Sequence, residues 1–263
     1  MSAIHIGVGG WDYDPWRETF YPPGLPKKKQ LEHVGRHLTA TEINATYYKL
    51  QKPELFAGWA QMVPDGFRFA IKASRFCTNR RNLGDAGEAI GKFCAQGFTE
   101  LGDKLGPLLW QLAPTKRFDP AEISAFLMLL PTSRDGIGLR HALEVRHESF
   151  ACREFVAIAR AAGVAIVFAD HETYPEIADI TADFVYARLQ RTVAEVDTGY
   201  SDKALDRWAE VARGWAAGES PAGLDYISKA KAPATPREVF AFIISGAKER
   251  NPAAAMAMIE RLR

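Results

Sequence analysis

Short apolar runs rich in β-branched and aromatic residues alternate along this chain with longer segments whose apolar residues recur at intervals of three and four. A period of two marks a strand and a period near 3.6 marks a helix, so the alternation predicts repeated βα units. Eight strands are read near residues 4–9, 40–44, 67–72, 108–112, 142–146, 165–170, 184–189 and 239–244. Between them, Leu55, Trp59 and Met62 form one helical stripe, Ile123, Phe126, Leu127 and Leu130 a second, and Leu205, Trp208, Ala212 and Trp215 a third. Asp119 before Pro120, with Glu122 at the capping-box spacing, predicts a helix start, and Asn251 before Pro252 repeats the cap.

Eight strands and about seven or eight helices fit a closed (β/α)8 barrel of the triosephosphate isomerase (TIM) type. The reading is α/β, one domain over residues 1–263, irregular near strands 6 to 8. An open doubly wound sheet is the competitor, but its glycine-rich loop would have to accommodate Trp11 and Asp12, too bulky to wrap a pyrophosphate. Residues 78–87, 190–201 and 218–236 carry neither period and are predicted as loops. The last contains Pro221, Pro233 and Pro236 and is expected to be poorly ordered.

Composition narrows the classes. Hydrophobic residues at 47% and charged residues at 25% exclude a disordered chain. Thirty-three Lys and Arg against 32 Asp and Glu leave a formal charge of +1, so no global field draws the molecule to nucleic acid or an anionic membrane. Three widely spaced cysteines, Cys77, Cys94 and Cys152, form neither a disulfide framework nor a zinc motif, and a reducing cytoplasm is the expected compartment. The first twenty residues are broken by glycines and Asp12 where a leader would be apolar, so the chain is read as starting directly with the fold. The longest apolar stretch, residues 155–169, includes Arg160 and Gly163 and is too short to span a bilayer.

Candidate chemistry follows from strand geometry. In a barrel, alternate side chains face the axis and the outer helices. That alternation aims Glu42 and Asn44, Arg68 and Lys72, Glu144 and Arg146, and Arg188 beside Tyr186 toward the axis, with Asp170 added as a fifth charged strand end. Buried charges must pair or line a wet cavity, and the C-terminal mouth is where such barrels bind ligands. The leading reading is acid/base chemistry on a small anionic or polyhydroxylated molecule. Glu144 and Asp170 handle protons, Lys72, Arg146 and Arg188 hold the anion, and Glu42, Asn44 and Gln111 orient hydroxyl groups. Trp11 and Tyr47 contribute an aromatic rim, and His147, just past a strand end, is a proton shuttle or ligand. The plain alternative is an ion network that plugs the mouth. Lys72 itself reads as a Schiff-base amine, an anion clamp or a partner for Glu42 or Glu144.

No resident cofactor is predicted. The alternative with a divalent metal uses Glu42, Glu144, His147 and Asp170 to cleave phosphodiesters. A third reading is a non-catalytic barrel that grips a nucleic-acid strand or a protein through Arg75, Arg80 and Arg81 around Phe76. The pattern sets no oligomeric state.

Several ordered motifs also carry a family resemblance. They include Val8-Gly9-Gly10-Trp11, Phe20-Tyr21-Pro22, the run from Thr41 to Tyr48, and the run from Phe67 to Ala73. Farther along come the run from Leu101 to Pro107, Trp110-Gln111-Leu112, Glu144-Val145-Arg146-His147 and Tyr186-Ala187-Arg188-Leu189. Together they resemble the domain of unknown function 72 family, also called YecE-like, over nearly the whole chain. The resemblance implies a TIM-type barrel and no established activity. Two departures stand out: Gln190 where a His typically follows Arg188-Leu189, and Ile243-Ile244-Ser245-Gly246 in place of a Phe-Asn-Asn run.

Overall fold

In the computed structural model, which describes residues 3–230 and 232–263, parallel strands close into a ring. They are Ile4–Gly9, Ala40–Ile43, Arg68–Lys72, Leu105–Gln111, His141–Glu144, a sixth in two pieces at Ala165–Ile166 and Phe168–Asp170, Phe184–Leu189 and Glu238–Ile243. The first strand pairs with the last, Ile4 opposite Val239. The sixth pairs with the fifth through its first piece and with the seventh through its second. Its interruption at Val167 is bridged, because the Val167 N–H donates to the Leu143 carbonyl at 3.0 Å. The barrel is therefore of the TIM type.

Strand boundaries lie close to the expected ones except for the fourth, which starts at Leu105 rather than Leu108. Gly106 and Pro107 weaken the strand signal, yet Leu105 still pairs opposite Phe69. Gly7 is needed for a close approach: a Cβ there would sit 2.2 Å from the Ala40 carbonyl oxygen. Inside the ring, Ala40, Ala70, Leu109, Ala142, Val167 and Phe242 pack as an apolar middle layer below the mouth. At the N-terminal end Glu238 accepts from Arg140 and lies 3.1 Å from His5 Nε2, while the Arg140 guanidinium covers the Phe240 ring at 5.0 Å. That end is closed by charges that satisfy one another.

Helices Gln30–His37, Pro53–Met62, Gly87–Cys94, Pro120–Met128, Arg153–Ala161, Asp202–Ala217 and Asn251–Leu262 form the outer layer. Two predicted stripes, on Pro120–Met128 and Asp202–Ala217, are buried. The stripe on Pro53–Met62 is displaced: Phe56 is buried, whereas Leu55 and Met62 are exposed. Apolar residues nearly encircle that helix, so spacing alone leaves more than one stripe open. Asp119 caps as expected, accepting the Glu122 N–H at 2.9 Å. Asn251 does not cap. Its side chain accepts from Thr192 Oγ1 and donates to the Ser245 carbonyl, tying together the loops after the last two strands.

No helix joins the sixth and seventh strands among the described residues. The segment 218–236, expected to be poorly ordered, packs over this gap instead; Lys231 within it lies outside the described residues. The Asp179 carboxylate accepts the N–H groups of Ile227 and Ser228 at 2.6 and 3.0 Å, and the Ala178 N–H donates to the Asp225 carbonyl at 2.9 Å. Leu224 is buried beneath. Prolines bar a helix here, but backbone groups satisfied by one buried carboxylate order the chain without one. No helix of the described residues is long and apolar enough to cross a membrane.

Candidate active site

Strand alternation places Glu42, Lys72, Gln111, Glu144, Arg146 and Arg188 on the inner face at the C-terminal ends of their strands, as expected. The deepest of them form a closed network. Arg188 Nη1 donates to both oxygens of Glu144 at 2.9 and 2.8 Å, and its Nη2 donates to Glu42 Oε1 at 3.1 Å. Tyr186 donates its hydroxyl to Glu42 Oε2 at 2.7 Å, and the Gln111 amide donates to Glu144 Oε2. Both carboxylates are 0% exposed. Burial alone would raise the Glu144 carboxyl, but Arg188 and Arg146, helped by the Gln111 amide, hold it down at about 2. Arg188 also meets burial that works against its charge, and its two carboxylates outweigh it. Burial and the adjoining Glu42 push the Tyr186 hydroxyl well above its ordinary value.

Two cations border this network without being consumed by it. The Lys72 Nζ lies 4.3 Å from the centroid of the Tyr47 ring, with no carboxylate within ion-pair distance among the described residues. Burial lowers its proton affinity and Arg188 lowers it further, against the opposing pull of Glu42 and Glu144, to about 8. Arg146 lies over the ring of Tyr174 at 4.7 Å, and Tyr174 stacks on His171 at 3.7 Å. Arg146 Nη2 is 3.4 Å from both Glu144 oxygens, and its buried Nε has no partner among the described residues. Three cations, Lys72, Arg146 and Arg188, thus face two carboxylates, Glu42 and Glu144. The mouth carries one surplus positive charge when the lysine is protonated. Lys72 and Arg146 are partly exposed, so the plug formed by the buried groups stops short of the surface.

Other expected site residues fall elsewhere. Asp170 alternates with Phe168 of the outer layer rather than with the inner face. It receives the Tyr200 hydroxyl at 3.2 Å and lies 3.2 Å from Arg191 Nε. Burial raises its carboxyl, but among the described residues no hydrogen bond or ion pair links it to Glu144, so the two carboxylates do not form the expected acid/base pair. One residue of register decides this. His147 is likewise one position past the inward Arg146; its Nδ1 accepts the Ser149 N–H at 3.1 Å. It shapes a turn. Trp11 packs edge-on against Trp59 of the outer layer at 5.1 Å, and the nearby Trp16 and Tyr21 are buried, so this aromatic group is a packed lid. Asn44 donates to the Glu42 carbonyl at 3.3 Å and stays at the rim.

The proposed metal ligands are therefore not assembled. Glu42 and Glu144 face Arg188, while His147 and Asp170 have turned away. Among the described residues no group of three His, Cys, Asp or Glu side chains is placed to hold an ion. In the suggested nucleic-acid patch, Arg75 lies over an exposed Phe76, but Arg80 is committed to the carbonyls of Phe76 and Asp85 at 2.6 and 2.7 Å.

Comparison with known proteins agrees with the barrel. A family model described as a protein of unknown function, DUF72, matches residues 5–263. The chain belongs to the DUF72 family. Among its relatives are the UPF0759 protein YecE of Escherichia coli K12, 29% identical over 150 residues, and the UPF0759 protein YunF of Bacillus subtilis 168, 30% identical over 79 residues. These matches cover 56% and 30% of this chain and 50% and 27% of the relatives, so the chain spans about half the length of the first of them. A crystal structure of a DUF72 protein from Thermotoga maritima has a TM-score of 0.73 at 17% identity, covering 99% of this chain and 98% of that one. At that identity the likeness shows the fold alone.

Within this DUF72 barrel the Gln190 departure is informative. Gln190 follows Arg188 in the inward alternation and is 5% exposed, and its amide nitrogen is buried with no partner among the described residues. Together with Arg146 Nε it is an unused donor near the mouth. Sequence reasoning passed over Gln190 and Tyr174 as ligand-facing groups. Alternation beyond Arg188 could have found the first; the second depends on how the loop after the sixth strand folds back.

Proposed function

We propose that this DUF72 protein is an enzyme that binds a small anionic or polyhydroxylated molecule at the C-terminal barrel mouth and performs acid/base chemistry on it. The observation that carries the reading is Lys72, a largely buried amine with no carboxylate partner beside a half-committed Arg146. A buried cation left unpaired is costly, so its retention is accounted for by an anion that pairs with it transiently. Arg146 offers its planar edge to a carboxylate or phosphate. Glu144 is held ionised too firmly to exchange protons near neutral pH; with Glu42 it fixes Arg188 and sets the field. Lys72, at about 8, is the proton-exchanging group, replacing the Glu144 and Asp170 pair read from the sequence. Free thiols at Cys77, Cys94 and Cys152 suit the reducing cytoplasm.

Calorimetric titration with D-glycerate and with inorganic phosphate tests this function. Binding of at least one is expected for the native chain and its loss is expected in the K72M/R146M double variant, with circular dichroism reporting that the variant is folded. Unchanged binding by the folded variant, or no binding of either anion by the native chain, would overturn the assignment.

A further inference from the structure

We infer that Lys72 is a carbonyl-trapping nucleophile, its Nζ condensing with an aldehyde or ketone that bears an oxyanion held by Arg146. The inference rests on the proposed anion-binding mouth and names the substrate class for it. Its basis is geometric. The amine stands at the C-terminal end of the third strand, on the inner face, against the Tyr47 ring at 4.3 Å. The carboxylates that would otherwise bind it are committed to Arg188, Tyr186 and Gln111. Nothing in the described structure occupies the nitrogen's lone pair once its proton has left. Three buried donors in the same region, Arg146 Nε, Arg188 Nε and Gln190 Nε2, have no acceptor among the described residues, as expected of groups that await ligand oxygens.

The step needs no oxidant. The lysine ammonium releases a proton and its nitrogen pair adds to the carbonyl carbon, while the carbonyl π pair moves onto oxygen. That oxygen takes up one proton as nitrogen gives up another, leaving a neutral carbinolamine. Protonated again, the hydroxyl leaves as water while the nitrogen pair closes the C=N bond. The net change is an ammonium plus a carbonyl giving an iminium cation plus water. Glu42 and Glu144, which draw positive charge toward Lys72, favour that cation as they favour the ammonium. Burial offsets them enough that a substantial fraction of the amine is neutral near pH 8, where an ordinary lysine is almost wholly protonated.

The test is reductive trapping. The protein is incubated at pH 7.4 with glyoxylate, with glycolaldehyde phosphate or with uncharged acetaldehyde, each with sodium cyanoborohydride, and labelled lysines are mapped by peptide mass spectrometry. Lys72 is expected to react at least about tenfold faster than exposed lysines such as Lys49 with one or both anionic probes. In R146M, loss of one charge-assisted contact is expected to slow anionic labelling about tenfold more than acetaldehyde labelling, which slows only through the weaker depression of the lysine once Arg146 is gone. The two anionic probes distinguish a carboxylate from a phosphate as the held group. Labelling of Lys72 no faster than Lys49 by every probe overturns the inference. If D-glycerate or phosphate still binds in that case, the imine falls alone; if neither binds, the anion site falls with it. Equal slowing of all probes in R146M overturns the role given to Arg146.

Discussion

Replacing Arg188 by methionine strands two carboxylates at once. Glu42 and Glu144 are both 0% exposed, and Arg188 supplies three hydrogen bonds to them between 2.8 and 3.1 Å. Removing one partner of a buried ion pair costs about 3–5 kcal/mol, and two carboxylates losing one cation put R188M near the upper end, about 5 kcal/mol. For a chain of this size that lowers the melting temperature by roughly 10–20 °C. Urea denaturation across a pH series is the assay. In the native chain the Glu144 carboxyl sits at about 2, below its ordinary 4.5, so its stabilising contribution is complete above 4.5 and is lost as pH falls through about 2. In R188M burial acts on Glu144 with less opposition and raises its carboxyl, so the variant suffers most at neutral pH and recovers as Glu144 protonates. The gap should narrow steadily from pH 7 to pH 4, and E42Q/E144Q/R188M should regain much of it at pH 7. An R188M loss below about 1 kcal/mol, or a gap that does not vary with pH, would refute the reasoning.

Two further outcomes are expected. Lys72 moves from 10.5 to about 8 on folding, equivalent to about 3 kcal/mol of destabilisation that is complete below pH 8 and disappears as pH rises through 10.5. K72M should therefore be more stable to urea at pH 7 by up to about 3 kcal/mol, the trade expected where a functional group is held at the expense of stability, and the difference should vanish by pH 10.5. An unchanged urea midpoint at pH 7 would show that the amine is not depressed. D179A removes the acceptor of two N–H groups and should cost about 2 kcal/mol; limited trypsin digestion should then cut after Lys229 faster than in the native chain, and equal rates would mean that Asp179 does not fasten the segment.

Residues whose position depends on period alone were legible from the start. Strand alternation puts Lys72, Glu144, Arg146 and Arg188 on the inner face, because the side-chain direction in a strand is fixed by odd or even position and the barrel is closed. Asp170 shows the limit of that reasoning. It ends a strand as Lys72 does, but its parity follows Phe168, and the interruption at Val167 made its direction easy to misread. His147 differs from Arg146 by one position and by the whole of its environment. Family motifs reached the fold but could not say which mouth residues remain unpaired.

The order of strands and helices, the closed α/β barrel and the identity of the charges gathered at its mouth were determined by the sequence, since local periodicity and short connections leave few alternatives. Tertiary structure decided which of those charges neutralise one another. Arg188 reaches Glu42 and Glu144 from strands 146 and 44 residues away, leaving Lys72 without a carboxylate. It likewise fitted residues 218–230 and 232–236 over the gap where, among the described residues, no helix joins the sixth and seventh strands. Pairing across a barrel depends on distances and burial set by packing of the whole ring, and no local pattern in the chain encodes them.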